Sequence, residues 1–180
     1  MQVNLGKAHF IQGGIIMARR VFFSFHYAND INRAMTVRNS WVTQGAEKAG
    51  FIDKADFEKI QRQGTKAIEN WIDNQLVGTS VTVVLVGSET LNRDFVQYEI
   101  RKSIERGNGI IGVKIHNILD MRTGLKSQPG KLHTTIGIWS ISKKNIYFDD
   151  IADGIYDYKD QDGYRYLGDW IEVAAQKKGK

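Results

Sequence analysis

Apolar and polar positions along the chain alternate between short dense blocks and longer periodic ones. Val21-Phe22-Phe23-Ser24-Phe25 is almost wholly apolar, the pattern of a strand buried on both faces of a parallel sheet. Ser80 to Val86 (SVTVVLV) is a second such run, dense in β-branched residues, and Ile110 to Ile115 is a third. Ala49-Gly50-Phe51-Ile52-Asp53 reads as a weaker strand. Between these runs the spacing predicts helices. One extends from about Asp30 to Gln44, with Gly45 near its end. Another covers Ala55 to Leu76, where Ile68, Trp71, Ile72 and Leu76 share one apolar face. A third follows from about Arg93 to Arg106, with Asn92 as its N-cap and Gly107 and Gly109 as its stop.

Strand and helix thus alternate from residue 21 to residue 115. That order calls for an α/β fold, a parallel sheet with helices on both faces. After His116 the periodicity loosens. Asp120 to Lys131 is a Gly- and Lys-containing loop with the single proline, Pro129. Ile136 to Trp139 and Asn145 to Phe148 read as short strands, and 149–165, rich in Asp, Gly and Tyr, as surface loop. Tyr166, Leu167, Trp170, Ile171 and Ala174 have helical spacing, so a last helix should pack on the sheet. Trp41, Trp71 and Trp170 are expected in the core. With no repeat or low-complexity segment, residues 17–176 form one domain.

Composition narrows the function classes. Among 180 residues, 42% are hydrophobic and 25% charged, as in globular chains. No stretch approaches the roughly 18 apolar residues of a membrane-spanning helix, and a cytoplasmic location is expected. Lys and Arg number 25 against 20 Asp and Glu, a net charge of +5, but the basic residues are spread out. Only Lys177, Lys178 and Lys180 cluster, so nucleic acid is not the expected partner; an anionic small substrate fits the balance. The absence of cysteine excludes disulfides, thiolate metal sites and cysteine nucleophiles, and the four histidines lack metal-ligand spacing. No metal or cofactor is expected. Residues 1–16 carry no periodic pattern and no signal-peptide features. They read either as an upstream extension of a frame whose natural start is Met17, or as a genuine N-terminal arm.

In open α/β sheets ligands bind beyond the carboxyl ends of the strands. Three segments qualify: Phe25 to Asp30, the loop after Asp53, and Gly87 to Asn92. On the helix that begins near Arg93, Val96, Ile100, Ser103 and Ile104 face the sheet. Glu99 projects roughly 85° from the middle of that face, on the border between core and solvent. Periodicity leaves two readings: a carboxylate hanging over a cleft, or a surface glutamate paired with Lys102 or Arg106. His26 and Tyr27 are candidate pocket residues. Ser88 lacks the His and acid partners, and the surrounding GxSxG motif, of a catalytic serine, which suits a turn. Phosphate-binding loops of the GxxxxGK[ST] and GxGxxG types are absent.

Several of these segments, in order, resemble the TIR-like domains of bacterial antiphage defence of the Thoeris type. Arg20 to Tyr27 (RVFFSFHY), followed by Asp30, is similar to the first TIR box. Val37-Arg38-Asn39-Ser40-Trp41-Val42 resembles a helix motif of the Thoeris branch, and Thr79 to Ser88 the central strand and its exit. Phe95-Val96-Gln97-Tyr98-Glu99 matches the aromatic-x-x-x-Glu pattern, with Phe95-Val96 where a tryptophan-cysteine pair is usual. The resemblance covers about residues 18–116. It implies a flavodoxin-like/TIR fold, an α/β three-layer sandwich with a central parallel five-stranded sheet, with Glu99 as the catalytic residue and Phe25, His26, Tyr27, Asp30 and Ser88 around the substrate. It also implies NAD+ as substrate rather than cofactor, and a cyclic ADP-ribose-type or related nucleotide as product. A phage-derived trigger, a separate effector reached through that nucleotide, and self-association belong to the same implication.

One carboxylate suits such chemistry. Breaking the nicotinamide–ribose bond builds positive charge on the ribose, while nicotinamide leaves neutral and needs no general acid, unlike ordinary glycoside hydrolysis. Two other classes stay open on the sequence: a non-enzymatic TIR-like interaction module, and a nucleoside ribosyltransferase. A phospho-receiver does not fit, since Ser24-Phe25-His26 stand where its acid cluster would lie. Removing residues 1–16 should leave folding and activity intact. Thermal melting of the chain starting at Met17 checks this, and a large drop in melting temperature would refute the late start.

Overall fold

A computed structural model describes residues 19–43 and 59–180. Strand β1 (Val21–Phe25) leads into helix α1 (Tyr27–Thr43). Helix α2 (Thr65–Gln75) precedes β2 (Val81–Val86), a 3-10 turn spans Thr90–Asn92, and helix α3 (Asp94–Glu105) leads into β3 (Gly109–Lys114). Then come β4 (Thr135–Ile138), β5 (Asn145–Tyr147), α4 (Phe148–Ile151), β6 (Gly154–Asp157) and α5 (Gly163–Lys177).

Every residue of β2 is buried. Such a strand has no wet face, so it lies inside a sheet covered on both sides. It pairs in parallel with β1, Val21 opposite Val81 through Phe25 opposite Leu85, and with β3, Val81 opposite Gly109 through Val86 opposite Lys114. Among the described residues the sheet has four parallel strands in the order β1-β2-β3-β6. The expected five-stranded sheet is therefore four-stranded as far as it is described. The strand expected at 49–53, and the loop after it, lie outside the described residues, as do 1–16.

Side chains of β1 alternate between two apolar layers. Phe23 joins Ala34, Val37 and Trp41 of α1 and Leu167, Ile171 and Ala174 of α5. Phe22 joins Ile68, Ile72 and Leu76 of α2. The face of β2 and β3 that carries Val84, Val86 and Ile110 is covered by Val96 and Ile100 of α3 and by the antiparallel pair β4–β5. Helices on both faces make the three layers, in agreement with the sequence. Trp41 is buried edge-on against Phe23, as expected.

Local readings change in four places. Helix α1 begins at Tyr27 rather than Asp30, since no Gly or Pro intervenes and the Asp30 N–H already donates to the His26 carbonyl at 2.9 Å. The helix expected over Ala55 to Leu76 is broken at Gly64, whose φ of 92° no helix admits. Asn92 does not cap α3. It ends the 3-10 turn, and extended Arg93 precedes the helix. The segment 149–165 is not all loop, because β6 lies there, pairing Ile111 with Gly154 through Lys114 with Asp157.

Helix α5 approaches β3 closely at Gly109, where a Cβ would stand 2.7 Å from the Ala174 carbonyl oxygen. Gly109→Ala should cost about 1–3 kcal/mol by overpacking a backbone that cannot step aside. Urea denaturation checks it: an unchanged midpoint would mean that α5 does not lean on β3 there.

Candidate functional site

Beside the carboxyl half of β1, between α1, α2 and α3, the apolar layers part around a cavity of about 690 Å3. That is a ligand-sized volume. Its inner wall is buried and apolar: Phe22 and Phe23 from β1 and Val96 from α3. Half-buried Trp71 of α2 and Phe95 of α3 extend this wall. The rim is polar and exposed, with Asn29 from α1, Arg93 before α3, and Arg122 from the loop after β3.

Glu99 lines this cavity from the second turn of α3. The residue keeps some solvent contact, but protein packs densely around its carboxyl group. Ser24 of β1 donates its Oγ–H to Glu99 Oε2 at 2.5 Å. Burial raises the Glu99 pKa to about 8, and the Ser24 hydrogen bond opposes the rise. The partners that would make Glu99 a surface residue are taken up elsewhere. Lys102 pairs with Glu105 at 2.7 Å, and Arg106 donates to the Asp73 carbonyl.

Phe25, His26 and Tyr27 line the same cavity, with Phe25 and Tyr27 stacked at 6.0 Å between ring centroids. His26 is buried, and its Nδ1 has no protein hydrogen-bond partner. Burial, then the nearby Arg93 charge, lowers its pKa, so the imidazole is neutral at neutral pH.

Asp30 and Ser88 do not line the cavity. Asp30 is buried and serves the fold. Its Oδ2 accepts from Thr90 Oγ1 at 3.1 Å, and Thr90 Oγ1 accepts from the Gly87 N–H at 2.8 Å. Arg33 Nη1 stands 3.7 Å from Asp30 Oδ1, while its Nε and Nη2 donate to the carbonyls of Ile118 and Leu125. This node ties α1 to the loops after β2 and β3. Gly87 is small because the Asp30 carboxylate occupies the space a Cβ would need, with 2.3 Å to its Oδ2. Ser88 is half-buried in the exit turn of β2.

Trp71 departs from its expected place. It contributes to the cavity wall and is only partly buried, although the helical spacing that put it on an apolar face holds. Trp170 is also partly buried, stacked on Tyr156 at 4.2 Å. Sequence reasoning missed Ser24, Arg93, Arg122 and Asp120 as neighbours of the cavity. Asp120 lines it while accepting N–H groups of Arg122 and Thr123 and the Asn32 amide, which hold its carboxyl below the usual range. Only Ser24 left a signal, as the one polar residue inside a buried apolar run.

Residues 22–120, which include every strand end around this cavity, match the family described as Thoeris protein ThsB, TIR-like domain. The chain belongs to that family. A relative from Bacillus cereus (strain MSX-D12), named "Putative cyclic ADP-D-ribose synthase ThsB1", is 40% identical over 153 residues, covering 83% of this chain and 80% of that protein. In this ThsB TIR-like domain the matched segment ends at Asp120, so β4, β5, β6 and α5 lie beyond it. Their part in the cavity is indirect: they complete the layers that keep β2 and β3 dry. Among the described residues no helix is long and apolar enough to cross a membrane.

The raised Glu99 pKa makes stability depend on pH with a definite sign. The unfolded chain gives up this proton near 4.5, the folded chain near 8. The stabilisation is therefore present in full below pH 4.5 and is lost as pH rises through about 8. Glu99→Gln does not titrate and should escape that loss. Relative to the wild type, its melting temperature should rise steadily between about pH 5 and pH 9. A difference that stays constant over that range would show that the carboxyl is not buried as described.

Proposed function

We propose that this chain cleaves NAD+ at its nicotinamide–ribose bond and returns a cyclic ADP-ribose-type nucleotide, with Glu99 as the catalytic carboxylate. The observation that carries the reading is the enclosed Glu99 carboxyl group, which has no cationic partner among the described residues, in the wall of a cavity with an aromatic interior and an arginine rim. The name of the Bacillus cereus relative, a cyclic ADP-D-ribose synthase, supports the same substrate and product class.

The dinucleotide fits the polarity of the cavity. Arg93 and Arg122 on the rim suit the diphosphate, and the aromatic wall of Phe22, Trp71 and Phe95 suits the flat nicotinamide ring. Phe25, Tyr27 and neutral His26 bind between these ends. Asp30 and Ser88 act from behind, by shaping the loops.

Cleavage breaks the bond between ribose C1′ and the nicotinamide nitrogen. The electron pair goes to that nitrogen, which loses its positive charge and departs neutral, and the positive charge passes to C1′. A carboxylate beside C1′ stabilises that charge more in the transition state than in the ground state. Capture of C1′ by a nucleophilic group of the same molecule closes the ring. The dry aromatic wall favours this by limiting access of water. Burial favours the protonated form of Glu99, and the pyridinium charge of arriving NAD+ favours the carboxylate, whose proton passes to solvent. A separate effector that reads the nucleotide, and a phage-derived trigger that starts its synthesis, complete the proposal.

Glu99→Gln keeps size and shape but removes the charge. It should lower nicotinamide release by on the order of 10²–10³ and leave the fold unchanged by circular dichroism. The comparison is made by chromatography of NAD+ turnover products, under a condition in which the wild type is active. Wild-type turnover by the variant would refute the reading.

A further inference from the structure

We propose that Ser24 is a positioning residue for the cleavage step: its buried hydroxyl holds the Glu99 carboxylate in one orientation and keeps it in its charged form when substrate binds. The proposal rests on the reading of Glu99 above, which does not involve Ser24.

Strand β1 pairs with a fully buried neighbour, Ser24 opposite Val84. Its alternation sends Phe23 toward α1 and α5, and Phe22 and Ser24 toward α2 and α3. A valine or isoleucine would fill that position in a dry sheet. A serine there has to find a hydrogen-bond partner, because burying an unpaired hydroxyl is costly. The partner is Glu99, 75 residues away, at 2.5 Å. Ser24 is 1% exposed, so its hydroxyl cannot turn to water instead.

Charged and titratable groups stand on the surrounding elements, yet none compensates the Glu99 charge. Helix α1 and its approach carry His26 and Tyr27. Helix α2 carries Asp73, which accepts from Tyr98. Helix α3 itself carries Tyr98 and Lys102, with Arg93 before it, and the loop after β3 brings Asp120 and Arg122 to the rim. Among the described residues, burial and the Ser24 hydrogen bond are what move the ionisation of Glu99, in opposite directions. A hydrogen bond to the charged form favours that form. Among the described residues Ser24 is therefore the group that eases the ionisation required for catalysis, and its direction from β1 fixes which carboxylate oxygen stays free for the ribose.

The test compares wild type, Ser24→Ala and Ser24→Thr. The pH profile of kcat/KM for NAD+ reports the free enzyme. Ser24→Ala should move its alkaline midpoint up by about 1 to 2 pH units, the effect of one hydrogen bond to a charged group. Turnover should fall about tenfold or more at pH 7 and recover toward wild type at high pH. Ser24→Thr keeps the hydroxyl and should stay near the wild-type midpoint. A uniform loss of activity at every pH, with the midpoint unmoved, would overturn the proposal, since a merely structural serine behaves that way. Titration of the Glu99 carboxyl carbon by 13C NMR, without substrate, gives an independent reading in wild type and both variants. An upward shift in Ser24→Ala alone supports the pairing even if NAD+ is not the substrate, and identical titration curves sink it. If Ser24→Ala does not fold, the Ser24→Thr titration decides: a midpoint displaced as far as loss of the bond requires counts against the proposal.

Discussion

A strand with no wet face constrains everything around it. Strand β2 has every side chain buried, so apolar layers must cover both sides of the sheet, and each connection from one parallel strand to the next must travel back over a face. The backbone groups of β2 are satisfied only by β1 and β3, which fixes the register of both. Polar groups are then displaced to the ends of the strands. At the carboxyl ends, where α1 and α3 start and the loop after β3 folds over, the layers separate and leave room. The cavity follows from the way the sheet is covered and needs no separate device.

Asp30, Asp120 and Glu99 are enclosed near that end, and Glu99 is treated differently from the two aspartates. Asp30 receives the Thr90 hydroxyl and has the Arg33 guanidinium nearby, which partly offset the cost of its burial. Its job is to bind α1 to the loops after β2 and β3. Among the described residues Glu99 receives one hydroxyl and no cation. A fold selected only for stability would replace it with an apolar residue or give it an arginine, since an uncompensated buried carboxylate opposes folding. Arg93 and Arg122 line the same cavity without contributing to its ionisation. Without a cation among the described residues, the Glu99 charge stays available to a ligand, which is NAD+ under the proposed function.

What was legible in the sequence followed the strength of local signals. The runs of β1, β2 and β3 have apolar density that no other element mimics, and α3 has clean periodicity, so the α/β order and the place of Glu99 could be read directly. Glu99 near the edge of the apolar face was visible. That it meets Ser24 was not, because the contact spans 75 residues and depends on which face of β1 looks toward α3. Strand β6 was hidden for a different reason. It has four residues, one partner, and Asp, Gly and Tyr around it, so its strand character comes from β3 rather than from its own sequence. Trp71 shows the limit of periodicity itself. An apolar stripe predicts which side of α2 turns inward, but not whether the inside at that height is packed core or cavity wall.

The resting protonation of Glu99 and the positive charge of NAD+ form one linked equilibrium under the proposed function. A carboxyl group that holds its proton offers no charge to attract stray cations to the inner wall of the cavity. A pyridinium entering the aromatic end favours the carboxylate, and by reciprocity the carboxylate favours the pyridinium. At neutral pH the catalytic charge is therefore favoured by the pyridinium ring of the oxidised dinucleotide; the uncharged dihydronicotinamide ring of the reduced form gives the carboxyl no such reason to ionise. When the bond breaks, the positive charge moves from the ring toward ribose C1′, and neutral nicotinamide no longer has an electrostatic hold on the site. Burial without a cation, which weakens the fold at this position, is what makes the carboxyl group respond to the charge of its substrate.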